Sequence, residues 1–221
     1  MNIRENLGLL YQSIPPFVEL IAISKTQGIE TIREAYSAGQ RAFGENKVQE
    51  LIAKAPALPA DIQWHFIGHL QTNKVRLIVP FIHTIQSIDS LKLLMEVEKE
   101  AGKIGRMIPC FLQIHIASEE TKFGLDPPEA FQILDSVEFR EMKHIRIHGL
   151  MGMATFTDDK EIVREEFVSL RQTFNKVKAR FFQTDNDFRH LSMGMSGDYH
   201  LAIEEGSTMV RIGTAIFGGR T

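Results

Sequence analysis

Short runs rich in apolar and β-branched residues alternate with segments of helical periodicity along the whole chain. The runs fall at 18–23, 41–43, 64–67, 82–85, 110–116, 145–150, 189–192 and 209–212. Between them, 29–38 sets Ile29, Ile32, Ala35 and Tyr36 on one helical face, and 91–101 does the same with Leu91, Leu94, Met95 and Glu98. Segment 128–137 opens on Pro128, a residue suited to a first helical turn, and 159–180 repeats the pattern through Ile162, Phe167, Leu170, Phe174 and Val177. Residues 1–12 read as a preceding helix. Strands separated by helices pair in parallel, with each helix crossing over the sheet. About eight such units in 221 residues reach the lower end of the size range of a (β/α)8 barrel. The expected fold class is therefore α/β: a single TIM-like (β/α)8 barrel domain over 1–221 with an extra N-terminal helix. An open doubly wound sheet is the competing architecture. No repeat, low-complexity tract or linker divides the chain.

Composition narrows the surroundings. Hydrophobic residues make up 43% and charged residues 24%, so the chain can bury a core. A net charge of −3 gives no electrostatic reason to expect nucleic acid or an anionic membrane as partner. Cys110 is the only cysteine, so no internal disulfide forms and a reducing compartment is expected. The first residues lack the basic-then-apolar pattern of a signal peptide, and no run reaches membrane-span length. The expectation is a cytoplasmic protein.

In a barrel, chemistry gathers where strands end and loops begin. Ser24-Lys25-Thr26 follows the first strand candidate, Phe43-Gly44-Glu45-Asn46 the second, His65 to Lys74 the third, and Gln86-Ser87-Ile88-Asp89 the fourth. His115 and 119–124 follow the fifth, and Gly149 to Ala154 the sixth. The last two strands each end in a turn rich in glycine and hydroxyls: Ser192-Met193-Gly194-Met195-Ser196-Gly197-Asp198, then Gly213-Thr214.

Lys25 closes an almost wholly apolar run. A desolvated lysine loses basicity and becomes a usable amine nucleophile toward a carbonyl; the bland alternative is a lysine that snorkels to solvent. Ser196, Gly213 and Thr214 can supply hydroxyls and amides to a phosphate, with Asp198 placed to cap the short helix after it. Two ordinary turns are the alternative. An amine and a phosphate site at one barrel mouth suit pyridoxal 5′-phosphate. Arg211 lies two residues before Gly213, so both face the same side of a strand. Arginine only donates hydrogen bonds, so a ring nitrogen facing it stays unprotonated and the ring is a weak electron sink. An arginine in a structural ion pair is the alternative. The histidines show no metal signature, and no metal is expected. Lys47, Lys54 and Lys74 read as solvated helix faces, and Trp64 as a packing residue of the barrel shell.

The chain resembles the pyridoxal phosphate homeostasis protein family, whose fold is like the barrel domain of alanine racemase. The resemblance rests on Ala22-Ile-Ser-Lys25-Thr, Phe43-Gly-Glu-Asn46 with Val48-Gln-Glu50, Trp64-His-Phe-Ile-Gly68 with Leu70-Gln71 and Asn73-Lys74, and Glu120-Thr-Lys122-Phe-Gly124. It continues through Gly149-Leu-Met151, Leu191-Ser-Met-Gly-Met-Ser196 and Gly206-Ser-Thr-Met-Val-Arg211-Ile-Gly-Thr214-Ala-Ile-Phe-Gly, so it covers nearly the whole chain. It implies that Lys25 carries the cofactor as an internal aldimine. It also implies that Ser196, Gly213 and Thr214 hold the phosphate, that Arg211 faces the ring nitrogen, and that Asn46 and Met193 line the pocket. Members of the family bind the cofactor without established turnover. They are thought to buffer it or deliver it to apo-enzymes, and are described as monomers or weak dimers. Departures from the family pattern are Gln27 where a second lysine is frequent, His69 after Gly68, His115, and Gly152-Met153.

Two functions follow as alternatives: a cofactor carrier, and a small amino-acid racemase using Lys25 as one base. A racemase needs an acid or base on the opposite face of the cofactor. With three tyrosines, none in a strand-end motif, and a chain expected to stop just after the last strand, the carrier is favoured. A barrel binding some other phosphorylated metabolite is a third reading.

Overall fold

Eight parallel strands close on themselves in sequence order, β1 to β8, with β8 returning to pair with β1. This computed structural model describes residues 2–118 and 123–219. The strands are β1 (Glu19–Ile23), β2 (Ala42–Glu45), β3 (Gln63–Phe66), β4 (Thr84–Ile88), β5 (Ile108–Gln113), β6 (Ile145–Met151), β7 (His190–Ser192) and β8 (Met209–Ile212). The helices are α1 (Ile3–Ser13), α2 (Ile29–Ser37), α3 (Val48–Lys54), α4 (Val75–Ile78), α5 (Leu91–Lys103), α6 (Pro127–Asp135), α7 (Val137–Glu141), α8 (Lys160–Phe181), α9 (Tyr199–Glu204) and α10 (Thr214–Phe217). The expected barrel with an added first helix is the observed architecture. Among the described residues no helix is long and apolar enough to cross a membrane.

Strand alternation sorts the side chains into two layers. One layer lies between strands and helices, where Ala22, Phe43, Trp64, Phe66, Leu150, Val210 and Ile212 meet Ile32, Leu51, Leu93, Phe167 and Leu170. The other lies inside the barrel, where Ile21, Ile23, Ala42, Phe111, Met151 and Met209 gather from β1, β2, β5, β6 and β8. Trp64 is buried in the shell with its ring 6.0 Å from that of Phe43.

Local chemistry sets the helix ends. Asn2, Ser90, Asp126, Ser136 and Asp159 each place a side-chain oxygen on the first free amides of a helix. Asp126 and Glu129 form a complete capping box, so α6 begins at Pro127. Ser136 ends α6 and caps α7, which divides the single helix expected over 128–137. The fourth strand starts later than the apolar run at 82–85. Ile82 is buried because its amide returns to Ile78 at the close of α4, and pairing begins at Thr84. Likewise β5 stops at Gln113, and Ile114 makes only an isolated bridge to Leu125.

α1 packs its Ile3, Leu7 and Leu10 face inward beside α2 and α10. Asn6 Nδ2 donates to the Ile216 carbonyl at 2.8 Å, so the first helix is latched to the turn after the last strand.

Candidate functional site

Lys25 extends the inward-facing series Ile21, Ile23 past the end of β1, which carries its side chain into the barrel mouth. There it lines a cleft of about 550 Å³ together with Ser196, Gly213, Thr214 and Arg211. The five residues come from the loops after β1 and β7, from β8 and from the turn that follows it. Lys25 is half-buried rather than sealed from water.

The backbone around Lys25 is held from behind. Thr26 has φ of 66°, a left-handed conformation unusual for a β-branched residue, and its amide donates to Glu50 Oε2 at 2.8 Å. Lys54, expected on a solvated helix face, is instead buried: its ammonium donates to Glu45 Oε1 at 2.8 Å, to Glu50 Oε2 at 3.0 Å and to the Ser24 carbonyl at 2.9 Å. The helical face of α3 that holds Leu51 and Val48 also points Lys54 at the barrel, where two carboxylates compensate its charge. Burial pushes the Glu45 carboxyl up, against the Lys54 and Ser24 hydrogen bonds that pull it down. Glu50 titrates lower than usual: its bonds from Thr26 and Lys54 outweigh its own desolvation.

In the same cleft, the Ser196 hydroxyl lies in front of the Gly213 and Ala215 amides, accepting from them at 3.3 and 3.5 Å. Both amides stand at the opening of α10, where helix geometry gives them no partner within the helix, the kind of group an anion takes up. Asp198 precedes α9 but does not cap it through its side chain. Its Oδ1 accepts from the Met195 amide at 2.5 Å, which tightens the turn carrying Ser196. Gly194 makes this turn possible: its φ is 96°, and a Cβ there would stand 2.6 Å from Ala202 Cβ.

Arg211 forms the floor. It is almost fully buried, and its guanidinium donates to Ser192 Oγ at 2.7 Å and to the Gly152 carbonyl at 2.9 Å. Burial lowers its pKa to about 10, partly offset by Asp198, so it stays cationic at neutral pH. The structural ion pair weighed as the alternative is not its arrangement: the bonds it makes inside the barrel are to neutral oxygens. Ser192 Oγ donates on to Gln86 Oε1 at 2.7 Å, and Gln86 Nε2 contacts His65 Nδ1 at 2.9 Å. Sequence reasoning missed this polar column. Its signal was the alternation that puts Ser192 and Gln86 on the inward face with Arg211.

Two expected residues fall outside the cleft. Asn46 lines a separate shallow depression with Lys47, His69 and Lys74, and its carbonyl oxygen sits 2.1 Å from where a Cβ on Gly68 would be. Met193 is fully buried in the layer between strands and helices, because its parity is that of Leu191 and opposite to that of Ser192. In its place Met195 reaches the cleft, along with Thr155 and Asp158 of the loop after β6. Glu166 of α8 fixes that loop by accepting from the Thr155 amide at 2.6 Å and from the Ser118 amide at 3.1 Å. His115 is half-buried and does not line the cleft; Glu120, Thr121 and Lys122 lie outside the described residues. His69 pairs with Asp89 at 2.8 Å and stacks on Phe123. Cys110 is fully buried, and burial raises its thiol pKa far above the usual range. Among the described residues no three histidine, cysteine or acidic side chains are grouped to hold a metal.

A closed barrel with a lysine after β1, a buried arginine on β8 and hydroxyl-bearing turns after β7 and β8 defines a barrel of the alanine racemase N-terminal type. The family profile "Alanine racemase, N-terminal domain" matches residues 1–221. Alanine racemase of Clostridium difficile shares the fold with a TM-score of 0.79 at 14% identity, over 99% of this chain and 56% of that one. Relatives at higher identity are more specific. The pyridoxal phosphate homeostasis protein of Aquifex aeolicus is 38% identical over 91% of this chain and 87% of its own length. That of Haemophilus influenzae is 37% identical over 100% and 97%. PipY of Synechococcus elongatus, solved with pyridoxal phosphate bound, superposes with a TM-score of 0.88 at 38% identity, over 98% of this chain and 100% of that one. This chain belongs to the pyridoxal phosphate homeostasis protein family.

Proposed function

We propose that this chain is a single barrel domain that holds pyridoxal 5′-phosphate on Lys25 and serves intracellular homeostasis of that cofactor, buffering it or delivering it to apo-enzymes. The observation that carries the reading is that Lys25, Ser196, Gly213 and Thr214 line one cleft together with the buried Arg211. The residues present fit the cofactor. When bound, pyridoxal phosphate supplies an aldehyde that condenses with an amine and a ring that withdraws electrons. Lys25 provides the amine. The Gly213 and Ala215 amides and the Ser196 and Thr214 hydroxyls provide donors for the phosphate. Arg211 offers only hydrogens, so it keeps a facing pyridine nitrogen unprotonated and the cofactor chemically quiet.

The racemase alternative has less support. None of Tyr11, Tyr36 and Tyr199 lines the cleft: Tyr11 bonds Gln40, Tyr36 bonds Asp61, and Tyr199 is buried against His200. A carrier without turnover is accordingly the favoured reading, in the cytoplasm and as a monomer or weak dimer.

The test is transfer. Loaded protein is mixed with an apo-enzyme in the presence of a scavenger of free cofactor. Activation faster than that by free pyridoxal phosphate is expected. Steady racemisation of a single-enantiomer amino acid, followed by chiral chromatography, would replace the carrier by the racemase.

A further inference from the structure

One buried charged cluster lies beside the cleft, not in it. Lys54 spends its three ammonium hydrogens on Glu45 Oε1, Glu50 Oε2 and the carbonyl of Ser24. The Ser24 hydroxyl donates to the same Glu45 oxygen at 2.6 Å, and Glu50 Oε2 also receives the Thr26 amide at 2.8 Å. Ser24 and Thr26 are the two chain neighbours of Lys25. Both are therefore tied to one ion cluster on β2 and α3, and only Lys25 is turned toward the cleft.

The energetics point to position rather than stability. A buried ion cluster gains little over apolar residues of the same volume, because desolvation offsets the attraction. A left-handed threonine adds a conformational cost. A cluster that contributes little net stability while holding a strained turn has a geometric effect: it fixes the direction in which Lys25 leaves the backbone.

We propose that Glu50 and Lys54 are positioning residues for Lys25, setting the angle at which its amine meets the cofactor aldehyde. This rests on the cofactor reading above. In the step they serve, the Lys25 nitrogen bonds to the aldehyde carbon, and the carbonyl oxygen leaves as water with the two amine hydrogens. Neither Glu50 nor Lys54 exchanges a proton or touches the reacting atoms. Their effect is on how often the amine is aligned.

The experiment compares Glu50→Ala, Glu50→Gln and Lys54→Met with the parent. Three quantities are read: the rate at which the violet band of Lys25-linked cofactor appears on mixing apo-protein with pyridoxal phosphate, the circular dichroism of that band, and the unfolding midpoint of the apo-protein. Misalignment slows a positioned reaction by about tenfold to a hundredfold, so Glu50→Ala is expected to capture the cofactor at least tenfold more slowly and with a weakened dichroic band. Glu50→Gln keeps an oxygen that accepts from Thr26 and Lys54, and restores most of the rate. Lys54→Met is expected to follow Glu50→Ala. Should it fail to fold, the Glu50 pair decides, because that side chain is 25% exposed and its loss leaves the core intact. Parent-like rate and dichroism in Glu50→Ala, whatever its unfolding midpoint, overturn the proposal, as does an equal loss in Gln and Ala. A parent with no Lys25-dependent band overturns the cofactor reading as well, so the two failures are told apart.

Discussion

The Arg211 guanidinium donates to Ser192 Oγ at 2.7 Å, and this bond sets the direction of every hydrogen bond beneath it. Arginine has no acceptor, so Ser192 accepts from it and passes its own hydrogen to Gln86 Oε1. Gln86 then donates through Nε2 to His65 Nδ1, which leaves the His65 hydrogen on Nε2. Replacing Ser192 by alanine strands a buried Arg211 donor and the Gln86 oxygen together. The expected loss is about 1–3 kcal/mol of folding stability, read as a lower urea midpoint. A Ser192→Ala protein as stable as its parent contradicts the column.

Among the described residues, Lys25 is the only amine lining the cleft. Mixing the protein with pyridoxal phosphate should give an absorption band in the violet. Lys25→Ala should instead give the spectrum of free aldehyde while remaining folded by far-ultraviolet circular dichroism. Retention of the band in that variant would remove Lys25 from its role.

The Ser196 hydroxyl faces the amides of Gly213 and Ala215 at the proposed phosphate end. Ser196→Ala should weaken binding of pyridoxal phosphate by about fivefold, the worth of one net hydrogen bond of ~1 kcal/mol. Pyridoxal, which lacks the phosphate, should bind parent and variant alike. Titration calorimetry with the two ligands separates an anion site from a general loosening of the turn.

At Gly194 the backbone adopts φ of 96°, and a Cβ would meet Ala202 Cβ at 2.6 Å. Gly194→Ala should cost about 1–3 kcal/mol through strain and crowding, and should lower cofactor affinity by displacing the Ser196 turn. Gly197→Ala, three residues on, has no other atom within 4 Å of the added carbon and should leave the unfolding midpoint unchanged. Equal midpoints for the two variants would remove the close approach of α9 as the reason for Gly194.

His65 is fully buried, and burial lowers its pKa from 6.5 to about 3, with His83 and His190 adding repulsion. The unfolded chain therefore binds a proton below pH 6.5 that the folded chain refuses. The stability contributed by neutral His65 is whole above 6.5 and falls as pH drops toward 3, by about 1.4 kcal/mol per unit. Thermal midpoints measured between pH 7 and 4 should decline accordingly, and His65→Gln should flatten the decline. His190, lowered to about 4 by burial, Arg189 and His148, adds to the slope in the same direction.

The barrel was legible because each strand carries its own apolar run and each helix its own period, so local signals agreed with the closed sheet. Lys25, Ser196, Arg211, Gly213 and Thr214 were legible for a related reason: strand parity and strand ends place them at one mouth. Parity also explains Met193, since a residue one step from Ser192 points to the opposite face of the sheet. Lys54 was misread because charge alone places a lysine in water; only three-dimensional pairing with Glu45 and Glu50 shows that it is buried. Asn46 belongs to a motif rather than to a pattern, and a motif does not say which of two neighbouring depressions its side chain enters.

β8 completes the barrel by pairing with β1, Ile21 opposite Arg211 and Ala22 opposite Ile212. Lys25 thus follows the first strand of the barrel, while Arg211, Gly213 and Thr214 belong to the last. The two halves of the cleft face each other only across that seam, between segments far apart along the chain, and bringing them together carries the largest loop-closure entropy in the fold. A growing or partly unfolded chain has Lys25 but no anion turn and no floor. On the proposed function, occupancy of the cleft is therefore a certificate of closure: the cofactor is retained only by molecules whose ring of strands is complete, and retaining it ties the first strand to the last.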